Sequence, residues 1–197
     1  MDEKAYISRK DQARLTKKKI FDTTMLLIKK RGYGKITIRE ICQQAQISIG
    51  TFYLYFSSKD EILLEIYNKI DQKVHFPMEE SICESICQDF SIYLTTMTEM
   101  FHKELVCEIY RNCLASGENH FLDQTRPLYQ AVLHCLEQAA KTHLLITGQT
   151  ALLICRKLHI FVQAYIFQWL TNDELGTRFL TDDCIQDLHA YLTLYIK

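Results

Sequence analysis

Two prolines and six glycines are spread over 197 residues, so this chain has few places to turn sharply. An all-β fold needs a turn roughly every 8–12 residues, and most such turns are built on Gly, Pro or Asn. Between the breakers run long stretches rich in Leu, Ile, Lys, Glu and Gln, which favour helix. The chain is therefore expected to be all-α. Its length gives room for one large domain or two small ones, with a sizeable core.

The formal net charge of −1 conceals an asymmetry. Residues 1–60 hold 13 Lys and Arg against 6 Asp and Glu, a net of +7. Residues 61–197 hold 10 against 18, a net of −8. A basic head on an acidic body points to two modules with different partners, and a nucleic acid suits the head. The first residues, MDEKAYISRKDQ, lack the apolar segment of a signal peptide. The longest apolar stretch, Ala151–Leu170, is interrupted by Arg156, Lys157, His159, Gln163 and Gln168, which a membrane span tolerates poorly. The expectation is a cytoplasmic chain without membrane contact, whose eight cysteines are reduced thiols.

Helical spacing begins near Lys10, with Ile20, Phe21, Leu27 and Ile28 on one side, and stops at Arg31 before Gly32. The start of this helix is crowded with Arg9, Lys10, Arg14, Lys17, Lys18 and Lys19, a run that a solvated face would explain equally well. Thr37 and Glu40 form a capping-box pattern that opens a short helix to about Ala45, with Ile38, Ile41 and Cys42 inward. Ser48 is a good N-cap for a second short helix, Ile49–Phe56. Ser58 with Glu61 opens a third, from Lys59 to about Lys73. Two short helices joined by a tight turn behind a basic helix spell helix-turn-helix. The domains expected are a DNA-binding head over 1–60, a linking helix over 59–73, and a helical body over 74–197, with Pro77 at the boundary. In the body, helices are expected near Glu79–His102, Lys103–Ala115, Pro127–Thr142, Gly148–Leu170 and Thr181–Ile196.

The segment ISIGTFYLYFSSKDEIL packs four rings into five positions. Phe52 and Phe56 are four apart and share one helical face, the core side. Tyr53 and Tyr55 are left to face DNA. With Ser48 and Thr51 they supply hydroxyls that grip phosphates, and Lys59 adds charge. Gly50, without a side chain, lets backbone approach DNA closely.

Residues about 14–65 resemble the DNA-binding head of the tetracycline-repressor (TetR) family of bacterial regulators. The matching stretches are IFDTTMLLIKKRGY, ITIREICQQAQIS and IGTFYLYFSSKDEILL. The resemblance implies phosphate contacts from Thr37, Ser48, Thr51, Tyr53, Tyr55 and Lys59. It implies base or near-base contacts from Arg39, Ile49, Gly50 and Leu54. Two positions depart from the family pattern. Gln46 stands where Gly or Asn is common, and a left-handed turn there carries about 1 kcal/mol of strain. Ile49 stands where many relatives have Lys, Arg or a small polar residue. Isoleucine can touch a thymine methyl but cannot hydrogen-bond a base, so few direct base hydrogen bonds and more dependence on DNA shape are expected.

In the body, Gln149, Arg156 and Gln163 form one narrow polar stripe on a helix that is otherwise apolar, hence buried on several sides. Ile185, Leu188, Leu192 and Tyr195 repeat like a bundle seam. The resemblance adds that such a pair of final helices forms a dimeric four-helix bundle, so Leu158, Phe167, Ile185, Leu188, Leu192 and Tyr195 are the expected dimer residues. A homodimer suits a palindromic operator in double-stranded DNA. A small, largely apolar effector is expected among Tyr93, Met97, Phe101, Tyr110, Tyr129, Phe161, Tyr165 and Trp169, with Arg111, His134 and Gln163 as orienting polar groups. Core packing explains most of these residues as well.

The predicted function is a ligand-responsive repressor, released from its operator by the effector. The alternatives are a metal- or thiol-redox-sensing regulator using Cys and His, or a regulator controlled by a protein partner. No C-x-x-C or tight His/Cys spacing marks a metal site, and no cofactor is implied. No nucleophile elbow, phosphate loop or H-E-x-x-H occurs, so an enzyme is not expected.

Overall fold

The computed structural model describes residues 8–72, 81–146 and 148–197. Nine α-helices are formed by these residues: α1 (Arg9–Arg31), α2 (Ile38–Ala45), α3 (Ile49–Tyr53), α4 (Lys59–Asp71), α5 (Ile82–Met100), α6 (Lys103–Ser116), α7 (Pro127–Lys141), α8 (Ala151–Thr171) and α9 (Cys184–Leu192). Short 3₁₀ turns lie at Tyr33–Lys35 and His120–Leu122. Among the described residues the one β interaction is an isolated antiparallel bridge between Leu145 and Ile196. No described helix is long and apolar enough to cross a membrane. The expected positions Lys73, Pro77 and Glu79 lie outside the described residues.

Local chemistry sets the helix ends. Ser8 accepts from the Asp11 amide at the start of α1, and Gly32, at φ 80°, ends it. Thr37 and Glu40 form a reciprocal capping box on α2. Gln46 closes α2 in the left-handed region (φ 53°, ψ 49°), so the side chain does sit where glycine is preferred. The helix from Ile49 is shorter than expected and gives way to a turn after Tyr53. At α4, Ser58 Oγ accepts from the Glu61 amide at 3.1 Å, while the Glu61 carboxylate takes the Ser57 amide instead of that of Ser58. Pro127 opens α7, where its missing N–H costs nothing. The last helix differs most from expectation. It begins as a wide π-type turn over Phe179–Asp183 and ends at Leu192, and Ile196 then pairs as extended chain with Leu145.

The chain divides into two compact units, Met1–Ile66 and Tyr67–Lys197. The division falls inside α4, within the expected linking helix. In the first unit α1 packs on α2 and α2 on α3. The core there is built by Ile20, Ile41, Phe52, Phe56, Ile62 and Leu63, each at most 1% exposed. In the second unit α5 packs on α7 and α9, α7 on α8, and α8 on α6 and α9. The core of that bundle includes Phe90, Leu94, Val132, Leu136, Leu158 and Leu188.

Candidate nucleic-acid interface

The candidate site grows from the two capped helices of the first unit. The Thr37 amide and hydroxyl donate to Glu40 Oε2 at 2.8 and 2.9 Å, and Arg31 Nη1 donates to Glu40 Oε1 at 2.6 Å. These bonds, from Arg31 first and Thr37 second, hold the Glu40 carboxyl below its ordinary pKa. The start of α2 is thereby fastened, and Arg39 next to it is exposed. In α3, Ser48 Oγ accepts from the Thr51 amide at 2.9 Å and lies 2.8 Å from Thr51 Oγ1. The aromatic segment divides as its spacing predicts. Phe52 and Phe56 are buried, whereas Tyr53 is 54% exposed and Tyr55 half-buried. Ile49 and Leu54 are also turned outward, at 45% and 80% exposure. At Gly50 an added Cβ would meet only Ser48 Oγ, at an ordinary 3.7 Å. Nothing within the unit crowds that position.

Beside α3 lies an open cleft of about 530 Å³ lined by Lys10, Asp11, Ala13, Arg14, Lys17 and Tyr55. Tyr55 therefore faces the basic start of α1 rather than standing free. Lys10 and Arg14 were absent from the expected contacts, although their i, i+4 spacing in a basic run signals them. Lys17 is engaged by Glu65 at 2.8 Å.

Lys59 has partners within its own unit. Its ammonium donates to the carbonyls of Tyr33 and Ile36 at 3.0 and 3.1 Å and lies 4.0 Å from the centre of the Tyr33 ring. It ties the start of α4 to the loop before α2, a role that competes with a phosphate contact. Lys59→Ala is therefore expected to lower stability by about 1.5–3 kcal/mol, the range for hydrogen bonds from a charged donor. The salt dependence of DNA binding should stay close to that of the parent protein. A slope reduced by about one, with stability unchanged, would return Lys59 to the phosphates.

In the second unit only part of the expected effector set comes together: Tyr93 packs on Phe121, which with Tyr129 borders His159, and Tyr110 neighbours Tyr93 and Gln163. Tyr93, Met97, Phe101, Tyr129 and Trp169 are buried. Tyr110 is half-buried, and Arg111 is exposed and paired with Glu108 at 2.5 Å. His134 is exposed beside Gln138, and Gln163 exchanges two 3.1 Å hydrogen bonds with Asn119. Phe161 and Tyr165 form a separate stack with Tyr191 and Phe179. The centre that the sequence did not reveal is His159. Its ring is fully buried, with centroids of Tyr129, Phe90 and Phe121 at 4.5, 4.9 and 5.7 Å. Nδ1 lies 2.9 Å from the Cys155 carbonyl and so carries the proton, leaving Nε2 a bare acceptor without a partner among the described residues. Burial pushes the His159 pKa down to about 4, so the ring is neutral near pH 7.

The expected dimer residues also separate. Leu158, Leu188, Leu192 and Tyr195 are buried in the bundle's own core, because α9 turns its seam onto α5 and α8 of the same chain. Ile185 is half-buried and Phe167 is exposed. The cysteines are unpaired, and among the described residues no three His, Cys, Asp or Glu side chains gather as a metal ion would require. Burial pushes the thiols of Cys87, Cys155 and Cys184 up to about 12 and that of Cys135 up to about 11, which suppresses the reactive thiolate.

A basic helix backing two short helices, the second of which exposes hydroxyl and apolar side chains, defines a helix-turn-helix protein. The family described as bacterial regulatory proteins, tetR family, matches residues 20–66. The uncharacterized HTH-type regulator YuxN of Bacillus subtilis is 39% identical over 51 residues, 26% of this chain and 18% of that protein. The chain's matches span less than a third of the length of the first such relatives. Two solved structures follow nearly the whole chain. Full-length TylP, a TetR regulator from Streptomyces fradiae, has a TM-score of 0.62 at 20% identity, covering 96% of this chain and 89% of that one. FadR of Thermus thermophilus, a TetR-family repressor in complex with lauroyl-CoA, has a TM-score of 0.61 at 20% identity, covering 90% and 92%. At that identity they establish the fold. Residues 20–66 thus match the tetR family of bacterial regulatory proteins, and nearly the whole chain shares the fold of these two TetR regulators.

Proposed function

We propose that this chain is a homodimeric transcriptional repressor that a small, largely apolar effector releases from a palindromic operator. The observation that carries DNA binding is the outward face of α3, where Ile49, Tyr53 and Leu54 are 45%, 54% and 80% exposed beside Gly50. The basic start of α1 and the hydroxyls of Thr37, Ser48, Thr51, Tyr53 and Tyr55 supply phosphate contacts, and exposed Arg39 reaches toward base edges.

A homodimer is supported by α8. Leu153, Ile160 and Phe167 recur every seven residues on its outer side and are 44%, 46% and 54% exposed. An apolar stripe of this kind is stabilised by a second copy. The proposed contact thus uses the outer face of α8, and of the expected dimer residues Phe167 is the one that lies on it. The effector reading is supported by His159, whose bare Nε2 inside an aromatic box would accept a hydrogen bond from a mostly apolar molecule. FadR, with lauroyl-CoA, shows that a neighbour of this fold takes a ligand with a long apolar part. Effector and operator then oppose each other by linkage, provided the effector binds the two states unequally.

Selection of duplexes from a random pool by the full-length protein, together with mass measurement in solution, tests this reading. The expected outcome is a two-fold symmetric sequence bound by a dimer, with Phe167→Glu giving monomers and at least tenfold weaker operator binding. Binding no better than to the starting pool would exclude an operator-specific regulator. A dimer that Phe167→Glu leaves intact would move the interface off α8.

A further inference from the structure

Between Ser48 and Leu54 the chain reads S-I-G-T-F-Y-L, without Arg, Lys, Asn, Gln, Asp or Glu. Those are the side chains that make bidentate or charge-assisted hydrogen bonds to base edges in the major groove. Two of the three hydroxyls in the segment are turned to each other, because Ser48 and Thr51 share the cap of α3. Phe52 is buried. What remains outward is the tyrosine ring with its hydroxyl, and two bare aliphatic side chains, Ile49 and Leu54. Leu54 is among the most exposed large apolar residues described in the chain. An aliphatic group held in water gains by being covered with another apolar group. In the major groove the apolar group available is the C5 methyl of thymine.

We infer that Ile49 and Leu54 are specificity-determining residues that recognise thymine methyl groups, so that operator choice depends on thymine at the positions they touch. The inference rests on the DNA-binding reading above, with α3 in the major groove. Gly50 supports it, since the open space beside Ile49 lets the backbone of α3 come close enough for short side chains to meet a methyl. Recognition of this kind needs no hydrogen bond and little salt dependence at the methyl itself. The basic flank of Lys10 and Arg14 then supplies the sequence-independent part of the affinity.

The test uses the full-length protein and the duplex that random-pool selection yields. Each thymine is replaced singly by deoxyuridine, which removes the methyl and keeps the Watson–Crick edge. The expected result is that one or two thymines in each half-site lose roughly fourfold in affinity, as for uncovering one methyl-sized group, and the rest lose nothing. Ile49→Ala and Leu54→Ala should each abolish the loss at one position and leave the salt slope unchanged. Both side chains are exposed, so the fold should survive, and retained salt-dependent binding to random duplex checks this. If no deoxyuridine substitution changes affinity, or if the losses persist in both variants, the inference is overturned and duplex shape or Arg39 sets the preference. A protein that prefers no duplex overturns the DNA-binding reading as well, a result distinct from tight, specific binding that ignores the methyls.

Discussion

Arg126→Met is expected to lower the free energy of unfolding by about 3–5 kcal/mol, the range for breaking a buried ion pair from one side. Arg126 stands at the N-cap of α7, and its Nε and Nη2 donate to Asp71 Oδ2 and Oδ1 at 3.0 and 2.7 Å. The side chains of the pair are 8% and 9% exposed. The guanidinium carbon lies 4.3 Å from the Tyr67 ring centre and 5.4 Å from that of Tyr93. Methionine fills much of the volume and keeps contact with the rings, but it strands the Asp71 carboxylate away from water. That stranded charge is the main cost. The double change Arg126→Met with Asp71→Leu should recover most of the loss, since neither charge is then buried. Urea unfolding at pH 7 measures all three proteins. A single-mutant loss below about 1 kcal/mol would mean that the pair behaves in solution as an exposed one.

Asp89→Asn should stabilise the protein at pH 8 and leave it nearly unchanged at pH 4. Asp89 is 1% exposed on α5, and its Oδ1 has no partner among the described residues. Burial pushes its pKa up to about 7. The folded state therefore holds this proton to higher pH than the unfolded chain, whose aspartate titrates near 3.9. Stability from this group is full below about pH 4 and is lost as pH rises toward 7, then stays level. Asparagine has no such loss, so its advantage should grow across that window to about 2–4 kcal/mol. His159 acts in the opposite sense. Its pKa is pushed down to about 4 by burial, so its contribution is full above about pH 6.5 and is lost as pH falls. The two nearly mirror each other, which makes the parent protein's own pH profile uninformative. The difference between Asp89→Asn and the parent, followed by thermal unfolding from pH 4 to 8, isolates the carboxyl. A difference that does not vary with pH would show that Asp89 is hydrated in solution.

Much of the head was legible in the sequence because its determinants are local. Thr37 and Glu40 are three residues apart and cap one helix. Ser48 caps the next, and the four-residue spacing of Phe52 and Phe56 puts both inside. The left-handed turn at Gln46 was implied by the family resemblance, and the structure has it. The partners of Lys59 were not legible, because the carbonyls of Tyr33 and Ile36 lie 26 and 23 residues earlier in the chain. A lysine at a helix start reads as a free charge until the loop it reaches is in place. The α9 seam misled for a related reason. A repeat of apolar side chains states that a face is buried, but not whether the same chain or a second copy buries it.

By itself, then, the sequence determined the helical class, the capped helices of the head and the inward and outward faces of α3. These depend on contacts between residues three or four apart, where backbone geometry leaves little choice. Only the tertiary structure decided that His159 sits bare inside an aromatic box, that Arg126 clasps Asp71 across 55 residues, and that α8 keeps Leu153, Ile160 and Phe167 outside. Those outcomes depend on which helices meet and at what rotation. That is set by the packing of the whole bundle and not by any one segment of the chain.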